Sequence, residues 1–219
     1  MKPIRIIVVE DDAFTRATMK AALQLQGIEV IHDTSNVASA MKIARTARPE
    51  AAVIDLDLGK GPNGIDLAIG LRNAIPEIGI VLLTGFVDPR LLDPEIGKLP
   101  KGSKYLIKQK ISNIEVVYDA ILDSIASVKK GGSRKDVLIP TLDLPSAQLE
   151  TLRLIALGYP NDRIAKERGI TEKSVEQSIS RLVQHFQISN SEQNKRVALA
   201  RIFFKASGSN HGAIADDAI

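Results

Sequence analysis

The chain has 219 residues, of which 44% are hydrophobic and 25% are charged, and its formal net charge is +3. This length allows one large domain or two modest ones, and the composition is typical of a folded protein rather than a disordered or fibrous one. The lack of cysteine excludes disulfides and cysteine-based zinc or iron–sulfur sites. The three histidines show no ligand spacing, so a metal here would need oxygen ligands.

The apolar run near the start, residues 4–9, is interrupted by Arg5 and followed by three acids. It is far too short for a membrane span or a secretory signal. We therefore expect a cytoplasmic protein that does not enter membranes.

The two halves of the chain differ in charge. Residues 1–126 carry 15 basic and 16 acidic side chains, whereas residues 127–219 carry 14 and 10, so the halves have net charges of −1 and +4. A net charge of +4 is a weak sign by itself, but it is compatible with an anionic partner for the second half.

The first half alternates short apolar runs with stretches of helical character. This pattern predicts a parallel sheet of five strands with helical crossovers, an α/β doubly wound domain. Gly27 is expected to end the first helix, and Ser112 with Glu115 is expected to form the capping box of the last. The predicted strands are residues 4–9, 28–31, 51–54, 78–83 and 105–107.

Polar residues follow four of these strands. Glu10 and Asp11 end the first strand, Asp55 the third, Thr84 the fourth and Lys108 the fifth. The carboxyl ends of parallel strands share one edge of the sheet, where a crevice forms. Each residue alone is more typical of a solvated turn, but their joint occurrence points to phosphoryl chemistry.

Converging carboxylates repel one another, and Mg2+ is the hard cation expected to neutralise them. A carboxylate beside such an ion can act as a nucleophile toward phosphorus. Thr84 and Lys108 would then hold the phosphoryl oxygens.

These motifs resemble the receiver domain of two-component response regulators over residues 3–127. The resemblance implies a flavodoxin-like fold and a sensor histidine kinase that phosphorylates Asp55. It also implies Mg2+ ligands at Glu10, Asp11, Asp55 and the backbone carbonyl of Asp57, and a switch made by Thr84 and Tyr105. The matching segments are 8–11, 53–57, 83–84 and 105–108.

The sequence departs from this family between Thr84 and the last helix. Gln109 stands where the family often has a cis proline, and Pro89, Pro94 and Pro100 predict that the fourth helix is short or distorted. Phe86 is expected to lie over the phosphoryl group and to hinder an attacking water.

The second half has helical periodicity only. We expect a basic linker over residues 128–143, a helical domain over 144–205 and a disordered tail over 206–219. Asn161 and Thr171 are expected to cap two of the helices, and Ser189 with Glu192 to cap the last. Periodicity alone leaves a plain helical bundle and a helix-turn-helix equally open.

The amino-acid sequence of residues 144–182 resembles the LuxR-type DNA-binding domain. This resemblance implies a smaller all-α helix-turn-helix domain, a recognition helix over residues 172–186 and a final helix over 190–205 that pairs in a homodimer. The side chains expected to face double-stranded DNA are Lys173, Ser174, Glu176, Gln177, Ser180, Arg181 and Gln184. Glu176 stands where the family often has lysine, and it either reads a base or repels phosphates.

The sequence thus predicts a transcription regulator controlled by phosphorylation of Asp55, with Thr84 and Lys108 assisting the transfer. We do not expect an enzyme, because the task is switching. Two alternatives remain: a Mg2+-dependent phosphohydrolase that uses Asp55 and Asp57, and a protein-binding module with little DNA affinity.

Overall fold

The computed structural model describes residues 2–59, 61–92, 99–129, 142–189 and 194–208, which pack as two units. The first unit contains residues 2–59, 61–84 and 99–129. The second contains residues 85–92 together with 142–189 and 194–208. Residues 85–92 therefore pack with the C-terminal helices, although the sequence placed them in a domain over residues 1–127.

A five-stranded parallel sheet forms the centre of the first unit. Its spatial order is β2-β1-β3-β4-β5, which confirms the predicted doubly wound arrangement. β3 and β4 are buried along their whole length, as expected for strands covered on both faces. The strands are β1 (Arg5–Val9), β2 (Glu29–Thr34), β3 (Ala51–Asp55), β4 (Gly79–Thr84) and β5 (Lys104–Ile107).

Four helices cover the two faces of this sheet. One face packs against α1 (Ala13–Leu25) and α4 (Ile114–Lys129), which contribute Leu23 and Ile121 to its apolar core. The other packs against α2 (Val37–Ala47) and α3 (Gly64–Ala74), which contact each other. Alternate strand residues point to opposite faces, so both layers are filled from the same strands.

The boundaries of α1 and α4 test two capping predictions. Gly27 follows the end of α1 in a left-handed conformation, as predicted. α4 is not capped by Ser112: it begins at Ile114, and the Asn113 side chain accepts the amide hydrogen of Val116. Asn113 is the residue next to the first turn, so its oxygen reaches an amide that Ser112 does not.

The connection after β4 contains a short 3-10 helix over Pro89–Leu91 in place of a regular α-helix within residues 85–92. Pro89 begins this helix, where its missing amide hydrogen costs nothing. The predicted distortion is confirmed there, and Pro94 lies outside the described residues. The bond between Lys108 and Gln109 is trans, and a second 3-10 helix covers Lys108–Lys110.

Four helices make up most of the second unit: α5 (Ser146–Ala156), α6 (Asn161–Arg168), α7 (Glu172–His185) and α8 (Lys195–Ala206). Their apolar core includes Leu152, Ile164, Val175, Leu182 and Leu199. A three-residue turn joins α6 to α7, which confirms the helix-turn-helix arrangement.

Thr171 caps α7 through the amide of Ser174, as predicted. Asn161 does not cap α6, because it is already the first helical residue and follows Pro160. α8 begins at Lys195 rather than residue 190, with Asn194 as its cap. Glu192 lies outside the described residues, so the predicted box with Ser189 stays a prediction.

The predicted domain bounds stay predictions, and the structure describes only their edges. α4 continues to Lys129 and α8 to Ala206, so each extends slightly into the segment expected to be linker or tail. Residues 130–141 of the predicted linker and 209–219 of the predicted tail lie outside the described residues.

Candidate functional site

Three charged side chains meet at the carboxyl edge of the sheet. The ammonium nitrogen of Lys108 lies 2.9 Å from Oδ2 of Asp55 and 2.8 Å from Oε2 of Glu10. Glu10 is 3% exposed and Asp55 is 7% exposed. Residues far apart in sequence, at the ends of β1, β3 and β5, thus form one cluster, in which the two carboxylates are buried and Lys108 is half-buried, and the sequence predicted that they would meet.

Strand register explains why these residues meet. β1 pairs with β3 in parallel, and β4 lies between β3 and β5 and pairs with both in parallel. Thr84 pairs with Ile107 at the end of β4, one residue before Lys108, and its side chain is fully buried. Thr84 and Lys108 are therefore neighbours at this edge, although the role of each in phosphoryl transfer stays a prediction.

The electrostatics of the cluster follow from its burial. Burial raises the pKa of Glu10 to about 7, with a further contribution from the charge of Asp55, and Lys108 opposes the shift. Burial also raises the pKa of Asp55, again opposed by Lys108. For Lys108, burial lowers the pKa, but the two carboxylates outweigh it and the pKa is raised. The positive charge of Lys108 thus does not fully compensate for the burial of the two carboxylates.

The acidic residues also suit a divalent cation. One carboxylate oxygen from each of Glu10, Asp11 and Asp55 lies within 4.8 Å of the others. Three oxygen donors at such distances match the preference of Mg2+ for carboxylates, and Asp11 is exposed at the mouth of the cluster. The residues present therefore fit the ion.

Asp57 is arranged differently from these three. Its carboxylate accepts the amide hydrogen of Gly59 at 3.1 Å and does not belong to the group of carboxylates that could hold an ion among the described residues. The ligand expected from Asp57 is its backbone carbonyl, and that role stays a prediction.

Arg16 on α1 binds the backbone of the acidic residues that follow β1, and this role was not predicted from the sequence. Its guanidinium donates to the backbone carbonyls of Glu10 at 2.6 Å and of Asp11 at 3.2 Å. Asp33 of β2 lies 3.8 Å from its Nε and also binds Lys20 at 2.7 Å. The signal available in the sequence was a basic residue one helical turn after the acids.

Gly64, at the start of α3, lies against the strand end that carries Asp55. A Cβ atom at this position would lie 2.1 Å from the carbonyl oxygen of Asp55. The amide of Gly64 donates to the carbonyl of Leu56 at 2.9 Å, and Asn63 with Asp66 forms a capping box at the same helix end. Only glycine fits here, so Gly64 fixes the backbone beside Asp55.

Phe86 packs within the second unit. Phe86 is half-buried and packs against the apolar core of the second unit, together with Val87. The expectation that its ring covers the phosphoryl group stays a prediction. Tyr105 is half-buried in β5, paired with Leu82, and its switch role stays a prediction.

The outer face of α7 carries the side chains expected to contact DNA. Val175 and Leu182 point into the core, which leaves six of the seven predicted residues exposed and Ser174 half-buried. The Ser174 hydroxyl bonds to Thr171 and that of Ser180 to the carbonyl of Glu176. The exposed six are Lys173, Glu176, Gln177, Ser180, Arg181 and Gln184.

Comparisons with known proteins agree with this geometry. Residues 6–95 match the family model described as the response regulator receiver domain. The chain is 26% identical to the transcriptional regulatory protein LiaR of Bacillus subtilis strain 168, over 87% of this chain and 94% of LiaR. It is 24% identical to the response regulator protein VraR of Staphylococcus aureus strain Mu3, over 87% of this chain and 93% of VraR.

A similar solved structure is that of the two-component response regulator RcsB in complex with DNA. The TM-score is 0.53 at 17% identity, and the match covers 94% of this chain and 99% of that chain. At this identity the likeness shows a shared fold.

No helix among the described residues is long and apolar enough to cross a membrane. The family match lies on the unit that holds the acidic cluster, and the matches to LiaR and VraR span both units. Residues 6–95 therefore match the receiver domain family, and the chain is similar over most of its length to response regulators.

Proposed function

We propose that this protein is a response regulator, a DNA-binding transcription regulator controlled by phosphorylation of Asp55. The observation that carries the proposal is the buried cluster in which Lys108 binds both Asp55 and Glu10. Asp55 is the carboxylate that an apolar strand delivers beside Lys108, and it is shielded from bulk water by its burial.

Side chains of this protein would act at each stage of the phosphoryl transfer to Asp55. An Oδ oxygen of Asp55 attacks the phosphorus of a phosphohistidine on a sensor histidine kinase, the P–N bond breaks, and the imidazole leaves with the bonding electrons. Lys108 and Thr84 hold the phosphoryl oxygens through an ammonium and a hydroxyl group. Glu10, Asp11, Asp55 and the carbonyl of Asp57 would hold Mg2+, which would supply positive charge that offsets the carboxylates and the phosphoryl group.

The output is DNA binding by α7. LiaR, a relative over most of both chains, is named a transcriptional regulatory protein, and RcsB was solved bound to DNA. The exposed face of α7 offers Arg181 and Lys173 for phosphates or guanine and Gln177 for adenine. The resemblance of residues 144–182 to the LuxR-type DNA-binding domain supports the same role.

The partners follow from this function. A sensor histidine kinase supplies the phosphoryl group, and a homodimer would read two half-sites. RcsB dimers bound to DNA have been solved, and Val197 of α8 is 44% exposed in this chain, as a pairing helix requires. A protein that meets DNA and a sensor kinase in this way would act in the cytoplasm.

The relatives are regulators rather than enzymes, and any hydrolysis of the phosphoryl group on Asp55 would serve to reset the switch. Phosphorylation is tested with acetyl phosphate and Mg2+, followed by mass spectrometry. Asp55→Asn should abolish labelling, whereas Asp57→Asn keeps the backbone carbonyl and should retain it. Sustained turnover of phosphate esters would favour the phosphohydrolase instead.

DNA binding is tested by titrating salt with a random duplex. Phosphate contacts give a steep dependence of affinity on salt, and Arg181→Ala should reduce that slope by about one. A wild-type chain with no measurable affinity for DNA at low salt would favour a protein-binding module.

A further inference from the structure

The segment after the last residue of β4 is built into the helical unit. The amide of Val87 donates to the carbonyl of Ala206, at the end of α8, at 2.7 Å. Leu91 is 3% exposed and belongs to the same apolar core as Leu149 and Leu152 of α5. Residues 85–92, here called the β4 segment, therefore contact both the beginning and the end of the four-helix array.

Asp88 holds this segment in place. Its side chain is 0% exposed and accepts from the amide, Nε and Nη2 of Arg90 at 3.0, 3.0 and 2.7 Å. It also accepts the amide hydrogen of Leu142 at 3.1 Å, while Nη1 of Arg90 donates to the carbonyl of Leu144 at 3.1 Å. Asp88 and Arg90 together, here called the clasp, join the β4 segment to the chain that leads into α5.

A buried carboxylate persists only when its oxygens are satisfied, so breaking the clasp should be costly. All its partners lie in the β4 segment or next to α5, which makes the clasp specific to this junction.

The chain reaches this segment directly from the phosphoryl-contacting candidate. Thr84 is the last residue of β4, and Gly85 is the first residue of the helical unit. Only the peptide bond between Thr84 and Gly85 separates the end of β4 from the segment that packs with α5 and α8, so a change at Thr84 has a short covalent path to that segment.

We propose that Asp88 and Arg90 are positioning residues that couple the phosphorylation site to the DNA-binding helices through the β4 segment. The proposal rests on the proposed function. It goes beyond that function by assigning the coupling to two named side chains and to a segment held within the helical unit.

The test compares the full-length wild type with Asp88→Asn and with the milder Arg90→Gln. The second variant keeps the two backbone amides, of residue 90 and of Leu142, that donate to the Asp88 carboxylate. The ratio of the DNA dissociation constants before and after acetyl phosphate treatment measures coupling, and we expect each variant to reduce it at least threefold. Glu150→Gln is the matched control, because its partner Arg153 lies on α5 outside the clasp. Labelling of Asp55 should be unchanged in all three.

Hydrogen exchange supplies a readout that needs no DNA. In wild type the amides of Val87 and Leu142 should exchange slowly, and acetyl phosphate with Mg2+ should change their rates. Arg90→Gln should speed exchange at Leu142 while exchange within the receiver sheet stays as in wild type.

Two results would overturn the proposal. One is a coupling ratio in both variants that equals the wild-type ratio. The other is an amide exchange rate at Val87 and Leu142 that does not change when Asp55 of the wild-type chain is phosphorylated. Failure of the proposed function looks different, since Asp55 would then take no label or no DNA would bind even to wild type. Absence of label in wild type also removes the coupling and counts against the proposal.

Discussion

The ammonium nitrogen of Lys108 lies 2.9 Å from Oδ2 of Asp55, and it is the one cation within hydrogen-bonding distance of this carboxylate among the described residues. The two residues are 53 positions apart and meet because β3 and β5 both end at the same edge of the sheet. Lys108 is therefore the group of the protein that supplies positive charge at the proposed phosphorylation site.

Replacing this cation should impair phosphoryl transfer. Lys108→Gln removes the charge that faces the phosphoryl oxygens, and we expect labelling of Asp55 by acetyl phosphate to slow by about 100-fold, the usual effect of losing one such donor. Lys110→Gln is the control, since Lys110 is exposed and only two residues away. Equal labelling rates in the two variants would contradict the assignment.

The raised pKa of Glu10 predicts how stability depends on pH without divalent cations. The folded protein holds this proton up to a pH of about 7, whereas the ordinary value is 4.5, so folding favours the protonated acid. The free energy of unfolding should therefore fall by about 1–3 kcal/mol between pH 5 and pH 8.

Denaturant unfolding in the presence of a chelator measures this change. Glu10→Gln should remove most of the fall, because its amide does not titrate. Added Mg2+ should raise the stability at pH 8 more than at pH 5, since it stabilises the charged carboxylates. A wild-type stability that rises over this interval would speak against the assigned cause.

Gly64→Ala should disturb the phosphorylation site through the backbone. The added Cβ would meet the carbonyl oxygen of Asp55 at 2.1 Å, so the start of α3 or the strand end must shift. We expect a loss of about 2–4 kcal/mol in the free energy of unfolding. Calorimetry and the labelling rate of Asp55 measure the two effects.

Gly70→Ala is the matched control in the same helix. Its added Cβ would lie 3.4 Å from the sulfur of Met41, an ordinary contact. Alanine has the higher helix propensity, so this change should be neutral or stabilise by up to about 1 kcal/mol. Equal destabilisation by both substitutions would show that the tight approach of Gly64 does not matter.

Glu176→Gln should increase DNA affinity for all sequences alike. Glu176 is exposed on α7 between Lys173 and Arg181, and its carboxylate repels the phosphate backbone. We expect dissociation constants to fall about threefold on matched and random duplexes at one salt concentration. Asp119→Asn makes the same charge change on the receiver helix α4, where it should have no effect. Loss of affinity for one duplex only would instead identify Glu176 as a base reader.

The sequence alone determined the elements that depend on local periodicity and on strand ends. Short apolar runs indicated each strand of the sheet, and the polar residues that follow them indicated Glu10, Asp55 and Lys108 as one site. This worked because parallel strands carry their carboxyl ends to a common edge whatever the details of packing. The face of α7 was equally predictable, because Val175 and Leu182 define its buried side.

Only the tertiary structure showed where the segment after Thr84 packs. Its prolines predicted a distorted helix, but neither they nor the pattern indicated that Leu91 joins the core of the C-terminal helices or that Asp88 binds Leu142. Arg16 and Gly64 were missed for the same reason. Each acts through contacts with backbone atoms in a neighbouring turn or strand end, and such contacts produce no hydrophobic periodicity because they depend on how the chain folds back in space.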